Sequence, residues 1–478
     1  MLFNSLEFII FFPIVVGLYF AIPCRYRWGL LLIASYYFYM CWKAEYIVLI
    51  VVSTVSAHCA AILIERQKET SKRKIYLIFS ISINLGLLFL FKYFNFFNDS
   101  LSTLFNRFNL LYDVPAFKVL LPVGISFYTF QIIGYSIDVY RGENKAEKHL
   151  GIFALYVAFF PQLVAGPIER CARLLPQFYK KHEFDYQRVT DGLKLMAWGM
   201  FKKVVIADRL AILVNQVYNN PRDYQGITFI VATVFFAFQV YCDFSGYSDI
   251  AIGAGQVMGI KLMKNFDRPY ASRSVSEFWQ RWHISLSTWI RDYLFLPIAL
   301  NKRYWGNWGL AYAAMISFSL VGLWHGANWN FLFFGALHGL AICYEVLTKK
   351  IRMKVFKNIP HKIYNSICLI LTFSFCNFTY IFFRANNISD AFLIITNILR
   401  IDSWQLRINL PLDGIELFIA LLSILFLEFI HLIQGQTSIR TFINEKPIWF
   451  RWTLYCVFTC LIVLFGKFEE QPFIYFQF

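Results

Sequence analysis

A histidine lies between two apolar half-segments in SLVGLWHGANWNFLFFGALHGL, residues 319–340. An ionisable side chain in such a setting is costly unless it has a partner or water, which makes His325 a functional candidate. An imidazole can accept and return a proton near neutral pH, as acyl transfer to a hydroxyl requires. The alternative is a histidine that only packs between helices through a hydrogen bond. That alternative is stronger for His338, which lies beside Gly339.

A second histidine, His283, occurs in FDRPYASRSVSEFWQRWHISLSTWIRDYLFLPI, residues 266–298. This segment mixes tryptophans with charged residues and suits a helix at or just below the membrane interface. Trp anchors at headgroup depth while Arg extends to water, which is enough to explain Trp279, Arg281 and Trp282. An interfacial helix does not explain His283, which we therefore keep as a second candidate.

A third polar cluster, VYCDFSGYSDIAIG, interrupts an apolar span. Its acids Asp243 and Asp249 are expected to line a water-filled cavity or to pair with an Arg, since carboxylates do not face lipid. Six residues turn a straight helix by about 240° net, so the two acids would point apart unless the helix breaks at Gly246. Taken alone, the cluster is equally typical of a transporter's unwound ion site.

The composition indicates where these residues must lie. Of 478 residues, 58% are hydrophobic and 15% charged, and the mean hydropathy is +0.52. These values predict an integral membrane protein, which we interpret as one domain over 1–478. The excess of 45 Lys and Arg over 29 acids is explained by basic cytoplasmic loops, so nucleic acid is not an expected partner. The ten scattered Cys predict neither a metal site nor a disulfide framework.

The predicted fold is all-α and polytopic, with about eleven to thirteen transmembrane or re-entrant helices, because helices satisfy their own backbone groups in lipid. The segment at 150–166 is expected to be re-entrant, since both of its flanks look cytoplasmic. The candidate segments are 5–22, 28–42, 46–64, 75–97, 119–140, 150–166, 192–218, 227–259, 307–324, 328–348, 363–383, 414–433 and 449–467.

Two short basic loops set the expected orientation. Residues 66–74 and 349–362 are rich in Lys and Arg and should be cytoplasmic. Counting spans from these loops predicts that both the N-terminus and the C-terminus lie outside the cytoplasm. The segment 384–413 then also falls outside.

The motifs taken together resemble the membrane-bound O-acyltransferase (MBOAT) family, in its branch that acetylates alginate and peptidoglycan. They occur in the expected order and cover nearly the whole chain. They are MLFNSLEFIIFFPIV at the start, LPVGISFYTFQIIGYSIDVYRG from Leu121, FFPQLVAGPIER from Phe159, DFSGYSDIAIG from Asp243, FWQRWHISLSTWIRDY from Phe278, LWHGANWNF from Leu323 and FIYFQF at the end.

The resemblance implies a ring of helices around a thinned centre, with a cytoplasmic opening for the acyl donor and an outer funnel for the acceptor. It implies a catalytic core at about 118–348 and additional spans at 363–467. His325 occupies the position of the family's essential histidine, and His283 that of the second. Residues of the same motifs could shape the tunnel: Tyr241, Asp243, Tyr247, Trp279, Arg281, Trp282, Trp324 and Asn328.

The expected reaction is acetyl transfer from cytoplasmic acetyl-CoA, with no permanently bound cofactor and no metal. His325 would act as general base, and His283 would polarise the carbonyl or hold the donor; a covalent acetyl-His intermediate is the other route. The final acceptor would be a cell-envelope polysaccharide outside the bacterial cytoplasmic (inner) membrane.

The chain has no GxSxG motif, so a separate extracytoplasmic serine-hydrolase-like partner is expected. Three alternatives stay open at this point. They are D-alanyl transfer to teichoic acid, transport of ions or small groups, and a scaffold that only recruits an acetylating partner. A transporter would be marked by an internal inverted repeat, and none is apparent.

Overall fold

The computed structural model describes residues 1–117, 120–400, 410–435, 439–468 and 473–474. Within these ranges the regular elements are all helices, and no strand occurs. The predicted all-α fold is therefore confirmed. The physical reason is that lipid offers no hydrogen bonds, so the backbone must satisfy its own polar groups.

Several helices are long and apolar enough to cross a membrane. In the described part of the chain there are seven: Ala44–Arg66, Thr70–Arg107, Ile227–Val257, Trp329–Leu347, His361–Arg384, Gly414–Gln434 and Ile448–Phe465. Two shorter apolar helices are Leu6–Ala21 and Ile388–Leu399. The multi-pass membrane character is confirmed, whereas the total of eleven to thirteen crossings stays a prediction.

The chain divides into two compact units. The first unit comprises residues 1–193 and 251–263, and the second comprises 194–250 and 264–478. The helices that precede residue 180 are α1 Leu6–Ala21, α2 Cys24–Met40, α3 Ile47–Arg66, α4 Thr70–Leu88, α5 Phe94–Arg107, α6 Ile125–Arg141, α7 Leu150–Ala158, α8 Phe160–Leu163 and α9 Cys171–Phe178.

The core of the first unit forms where α3, α4 and α6 pack together. Helix α6 is buried on nearly every side, and the hydroxyls of Ser80 and Ser136 lie 2.9 Å apart between α4 and α6. Helix α7 has nine residues, fewer than the ~20 needed to span the bilayer. That length agrees with the expected re-entrant character of 150–166.

The remaining helices follow in chain order. They are α10 Tyr186–Met200, α11 Asp208–Asn219, α12 Ile227–Val257, α13 Val275–Arg281, α14 Ile284–Ile290, α15 Leu296–Asn301, α16 Asn307–His325, α17 Trp329–Leu347, α18 Lys349–Val355, α19 His361–Arg384, α20 Ile388–Leu399, α21 Gly414–Gln434, α22 Ile439–Asn444 and α23 Ile448–Phe465. A π-helical segment, Phe201–Ala207, joins α10 to α11.

Helix α12 runs without interruption through Gly246, so the break that the sequence left open at this position does not occur. Gly246 instead allows a close helix crossing. A Cβ on Gly246 would lie 2.7 Å from the carbonyl oxygen of Gly199, and a Cβ on Gly199 would lie 2.5 Å from that of Gly246. Small residues at such a crossing let the backbones of membrane helices approach each other.

Helices α16 and α17 form a tight hairpin. A Cβ on Gly322 would lie 2.9 Å from Cα of Gly335, so neither position has room for a larger side chain. Residues 326–328 form the turn, and the side chain of Asn328 begins α17 by accepting the backbone N–H of Asn330 at 3.1 Å. The hairpin therefore fixes the position of His325 at its closed end.

Candidate active site

His325 is the last residue of α16 and is buried. Its ring is surrounded by aromatic rings, with centroid distances of 5.1 Å to Trp324, 5.2 Å to Phe383 and 5.9 Å to Phe334. Asn328, expected to shape the tunnel, acts as the N-cap described above. The predicted essential histidine is therefore held in an aromatic enclosure by the geometry of a helix end.

His283 lies between α13 and α14 in a left-handed backbone conformation, with φ 44° and ψ 54°. This region is rare for residues other than glycine, and strained positions of this kind cluster at functional sites. The side chain is fully buried, and its Nδ1 lies 3.3 Å from Oδ1 of Asn265. Burial lowers the pKa of His283, so its imidazole is neutral at neutral pH.

Trp324 links the two predicted histidines. The centroid of its ring lies 5.7 Å from that of His283 and 5.1 Å from that of His325. The imidazoles of two separate sequence motifs therefore pack against the same tryptophan ring.

An aromatic wall lies beside His283. The ring of Trp282 packs 5.1 Å from Phe266 and 6.2 Å from Tyr241, and Phe266 lies 6.5 Å from His283. The hydroxyl of Tyr241 is 3.1 Å from Nε2 of His431. Tyr241 and Trp282 therefore belong to one aromatic cluster with Phe266, and their role in shaping the tunnel stays a prediction.

Trp279 and Arg281, on the same short helix, contact other groups. The indole N–H of Trp279 donates to Nδ1 of His338 at 3.1 Å, and Nε2 of His338 lies 3.0 Å from the hydroxyl of Thr379. Because an indole N–H only donates, Nδ1 of His338 accepts and the ring is neutral. Arg281 pairs with Glu277 at 2.8 Å on its own helix. The contacts of His338 therefore agree with a helix-packing role.

The acids of the third cluster pair with lysines, where the sequence suggested an arginine or water. Asp243 lies 2.6 Å from Lys203, which also lies 2.9 Å from Asp208. Asp249 lies 2.7 Å from Lys202. Sequence reasoning missed both lysines, although two adjacent Lys within the apolar segment 192–218 were an available signal.

The segment after α23 reaches the same cluster. The backbone N–H of Ile474 donates to Oδ2 of Asp243 at 2.7 Å, and the ring of Phe473 lies 4.7 Å from that of Tyr247. The amine of Lys203 lies 4.3 Å from the centroid of Phe473. Asp243 and Tyr247 therefore hold this segment in place; residues 475–478 of the FIYFQF motif lie outside the described residues.

Glu345 of α17 is a further residue that sequence reasoning missed. Its carboxylate accepts the backbone N–H groups of Val275 at 2.6 Å and Ser276 at 3.1 Å, and the hydroxyl of Ser276 at 2.6 Å. A carboxylate at this position caps the first turn of α13. One acid near the end of an apolar span looks like an interfacial charge, so the sequence carried no signal for this contact.

A cavity of ≈ 130 Å³ lies beside the aromatic wall. Its polar lining consists of Arg268, Tyr270, Glu428 and His431, and His431 is the residue that contacts Tyr241. Arg268 has a left-handed backbone and lies 3.3 Å from the carboxylate of Asp267. The cavity therefore brings a cation, an acid and an imidazole together beside the aromatic wall.

Comparison with known proteins gives one family match and several relatives, one of which matches over the full length of both chains. The model of the MBOAT, membrane-bound O-acyltransferase family, matches residues 149–384. The chain is similar to the probable alginate O-acetylase AlgI of Pseudomonas putida. The two are 35% identical over an alignment of 498 positions that covers all of both chains.

Two further relatives differ in their named activities. The peptidoglycan O-acetyltransferase of Helicobacter pylori is 33% identical, over 76% of this chain and 72% of that protein. The teichoic acid D-alanyltransferase of Streptococcus thermophilus is 31% identical, over 46% of this chain and 55% of that protein. The family match includes both candidate histidines.

Proposed function

Because the chain belongs to the membrane-bound O-acyltransferase family, we propose that it moves acetyl groups from cytoplasmic acetyl-CoA to an extracytoplasmic hydroxyl. The observation that carries this proposal is the packing of His283 and His325 on one ring, that of Trp324. The relatives named as alginate O-acetylase and peptidoglycan O-acetyltransferase support a cell-envelope polysaccharide as the final acceptor.

Acyl transfer to a hydroxyl needs a base and a hydrogen-bond donor. The base takes the hydroxyl proton while the oxygen attacks the thioester carbonyl, and the departing thiolate takes up a proton when the C–S bond breaks. A donor near the carbonyl oxygen stabilises the charge that develops there. Two imidazoles can supply both functions; the sequence motifs favour His325 as the base and His283 as the group that polarises the carbonyl.

The donor is proposed to enter near the cavity lined by Arg268 and His431. Lys264, Arg268 and Arg273 lie between α12 and α13, and Lys261 precedes them in the sequence. Such cations suit the phosphates of CoA. Asp267 lies 3.0 Å from Lys264 and 3.3 Å from Arg268, which reduces the local positive charge. Exposed contacts of this kind contribute little one at a time, so the site would depend on several.

A binding experiment tests the donor site. Changing Lys264, Arg268 and Arg273 together to Gln should weaken acetyl-CoA binding to purified, detergent-solubilised protein. Because exposed charges are screened by salt, wild-type affinity should also fall as salt is raised. Changing Lys349, Lys350 and Lys354 of α18 to Gln is the matched control. If these cations only set topology, the affinity of the first variant will equal that of wild type.

The proposed membrane is the bacterial cytoplasmic (inner) membrane, with both termini outside the cytoplasm. The support is the pair of basic loops at 66–74 and 349–362, which the positive-inside rule assigns to the cytoplasm. Transfer onto the polysaccharide is proposed to need an extracytoplasmic partner resembling a serine hydrolase.

D-alanyl transfer to teichoic acid is the second candidate, and the partial similarity to a teichoic acid D-alanyltransferase favours it. An ion transporter is less favoured, since Asp243 and Asp249 are each paired with a lysine. Comparing the envelope glycans of wild type and a deletion strain distinguishes acetyl transfer from D-alanyl transfer. Mass spectrometry of envelope glycans from a deletion strain should show lost acetyl esters, whereas lost D-alanyl esters would support the second candidate.

The direct test of the function is His325→Ala in the complemented deletion strain. O-acetylation should be abolished, while the variant remains folded and in the membrane. If His325 only packs, expression or thermal stability will fall and activity per molecule will persist. Activity within a few fold of wild type in well-folded protein would remove His325 from the mechanism.

A further inference from the structure

Asn265 is a buried residue in the loop between α12 and α13, and it holds the His283 segment at two points. Its backbone carbonyl accepts the N–H of Ile284 at 2.9 Å. Its side-chain oxygen accepts the backbone N–H of Ser285 at 3.2 Å and the Ser285 hydroxyl at 2.9 Å. The residue is therefore built into the turn that carries His283.

The orientation of the Asn265 amide follows from its neighbours. A backbone N–H only donates, so the atom that contacts N of Ser285 must be the oxygen. The amide nitrogen then points to Ser248 and donates to its hydroxyl at 3.1 Å. Ser248 belongs to the DFSGYSD motif of α12, which thereby acquires a contact with the candidate site through Asn265.

This orientation determines which nitrogen of His283 carries the proton. Two polar atoms contact Nδ1: the Asn265 oxygen at 3.3 Å and the Ser285 hydroxyl oxygen at 3.4 Å. The amide oxygen only accepts, and the Ser285 hydroxyl hydrogen is already directed at that oxygen. Both atoms therefore accept from Nδ1, which must hold the hydrogen. In a neutral imidazole the other nitrogen, Nε2, then carries the lone pair.

Given the acyl transfer proposed above, on which this assignment rests, we infer that Asn265 is a positioning residue that makes Nε2 of His283 the base of the reaction. Nε2 takes the proton of the acceptor hydroxyl as its oxygen bonds to the acetyl carbonyl carbon. The C–S bond breaks, and the thiolate receives the same proton from Nε2, which leaves His283 neutral. This assignment gives His283 the role of base, which the sequence motifs favour for His325.

The surroundings of His283 favour a neutral imidazole, which can accept a proton from the acceptor hydroxyl during the reaction. The rings of Phe244, Phe266 and Trp324 face it from neighbouring elements. Burial is the cause of its lowered pKa. The amide of Asn265 can orient the ring without adding a charge, which a carboxylate at the same place could not do.

The first test measures the tautomer directly. Solid-state NMR of protein labelled with ¹⁵N-histidine, with His283→Gln used to assign the signal, should show hydrogen on Nδ1 of His283. Hydrogen on Nε2 would overturn the inference. The NMR readout does not depend on activity, so it tests the tautomer alone. A wrong proposed function would instead be revealed by the absence of acetyl transfer in wild-type protein.

The second test uses Asn265→Asp and Asn265→Ala in an acetyl-transfer assay across pH. A carboxylate at 265 should raise the pKa of His283, so the acid limb of the kcat profile should move to higher pH. Loss of the amide should lower kcat about 10- to 100-fold with little change in KM. Asn84→Ala is the control, because Asn84 is also buried and its amide donates to the Ser80 carbonyl of its own helix α4, far from His283 in the sequence. An unmoved acid limb in folded, active Asn265→Asp would refute the positioning role.

Discussion

At the residue scale, both candidate histidines lie where a helix begins or ends. His325 completes α16, and His283 immediately precedes α14. Helix ends leave backbone groups outside the regular hydrogen-bond ladder, so a side chain there can project into an enclosure without disrupting a helix. Apolar rings enclose both imidazoles, and polar contacts from Asn265 and Ser285 orient that of His283.

Replacing His283 by Ala, Asn or Gln should lower acetyl transfer to a similar extent in all three variants. A base must change its protonation, and an amide cannot, so we expect a loss of ~100-fold or more in kcat for each. Turnover of labelled acetyl-CoA by purified protein in liposomes measures this. His361→Ala, at an exposed histidine, is the control. Appreciably more activity in the Asn or Gln variant than in Ala would favour a hydrogen-bonding role for His283.

The sequence could identify some residues of the candidate site and not others. His283 and His325 are conspicuous because an ionisable group within an apolar run is costly, and Trp324 follows from the motif that it shares with the family. Asn265 and Glu345 are not conspicuous, because each is an ordinary polar residue near a span boundary. Their importance arises only when packing determines which backbone groups and rings face them.

At the scale of elements, α17 holds α13 at two points. His338 and Glu345 are seven positions apart, or about two helical turns, and therefore share one face of α17. His338 contacts Trp279, and Glu345 caps the first turn of α13. Since α17 also forms the hairpin with α16, one helix fixes both histidine-bearing segments relative to each other.

Glu345→Ala should therefore destabilise the protein by about 2 kcal/mol, the upper range for a lost cap, and lower kcat. Glu345→Gln should retain part of the stability and part of the kcat, because the amide oxygen of Gln can still accept a backbone N–H. Thermal unfolding in detergent and the transfer assay provide the measurements. Glu143→Ala, at an exposed acid, should behave as wild type. Equal stability of Glu345→Ala and wild type would contradict the proposed attachment of α13.

Glu169, between α8 and α9, is expected to make the stability of the protein depend on pH. It accepts the backbone N–H of Met263, and burial raises its pKa to about 7, against about 4.3 for an unperturbed Glu. Between these values the folded chain binds a proton that the unfolded chain has lost. Stability should therefore fall as pH rises from about 4 towards 7, by an amount on the order of 4 kcal/mol.

Unfolding of the wild type and of Glu169→Gln between pH 5 and pH 8 tests this expectation. Gln cannot titrate, so the curve of the variant should be flatter. Parallel curves would show that other groups cause the dependence.

At the scale of the whole molecule, composition was enough to predict an all-α membrane protein, because lipid leaves a chain few ways to satisfy its backbone. The lysine partners of Asp243 and Asp249 could not be predicted in this way. They depend on the close crossing of α10 and α12 at Gly199 and Gly246, which places Lys202 and Lys203 of the following π-helical segment beside α12.

The Lys203–Asp243 pair is expected to be important for stability. Removing one partner of a buried ion pair leaves an uncompensated charge, so Lys203→Met should cost about 3–5 kcal/mol. The double variant Lys203→Met/Asp243→Asn should recover part of that loss. Lys181→Met, which breaks the exposed pair with Glu183, is the control and should leave stability close to that of wild type, because exposed ion pairs contribute little. Additive losses in the double variant would show that the two residues are not coupled.

The contact between Ile474 and Asp243 also orders the events of biosynthesis. Lys203 emerges from the ribosome 40 residues before Asp243, so the two can enter the membrane already neutralised as a pair. The N–H that completes Asp243 is made 231 residues later. Translation must therefore pass Ile474 before Asp243 can accept this hydrogen bond. A nascent chain stalled within α23 would lie in the membrane without the contact between Ile474 and Asp243.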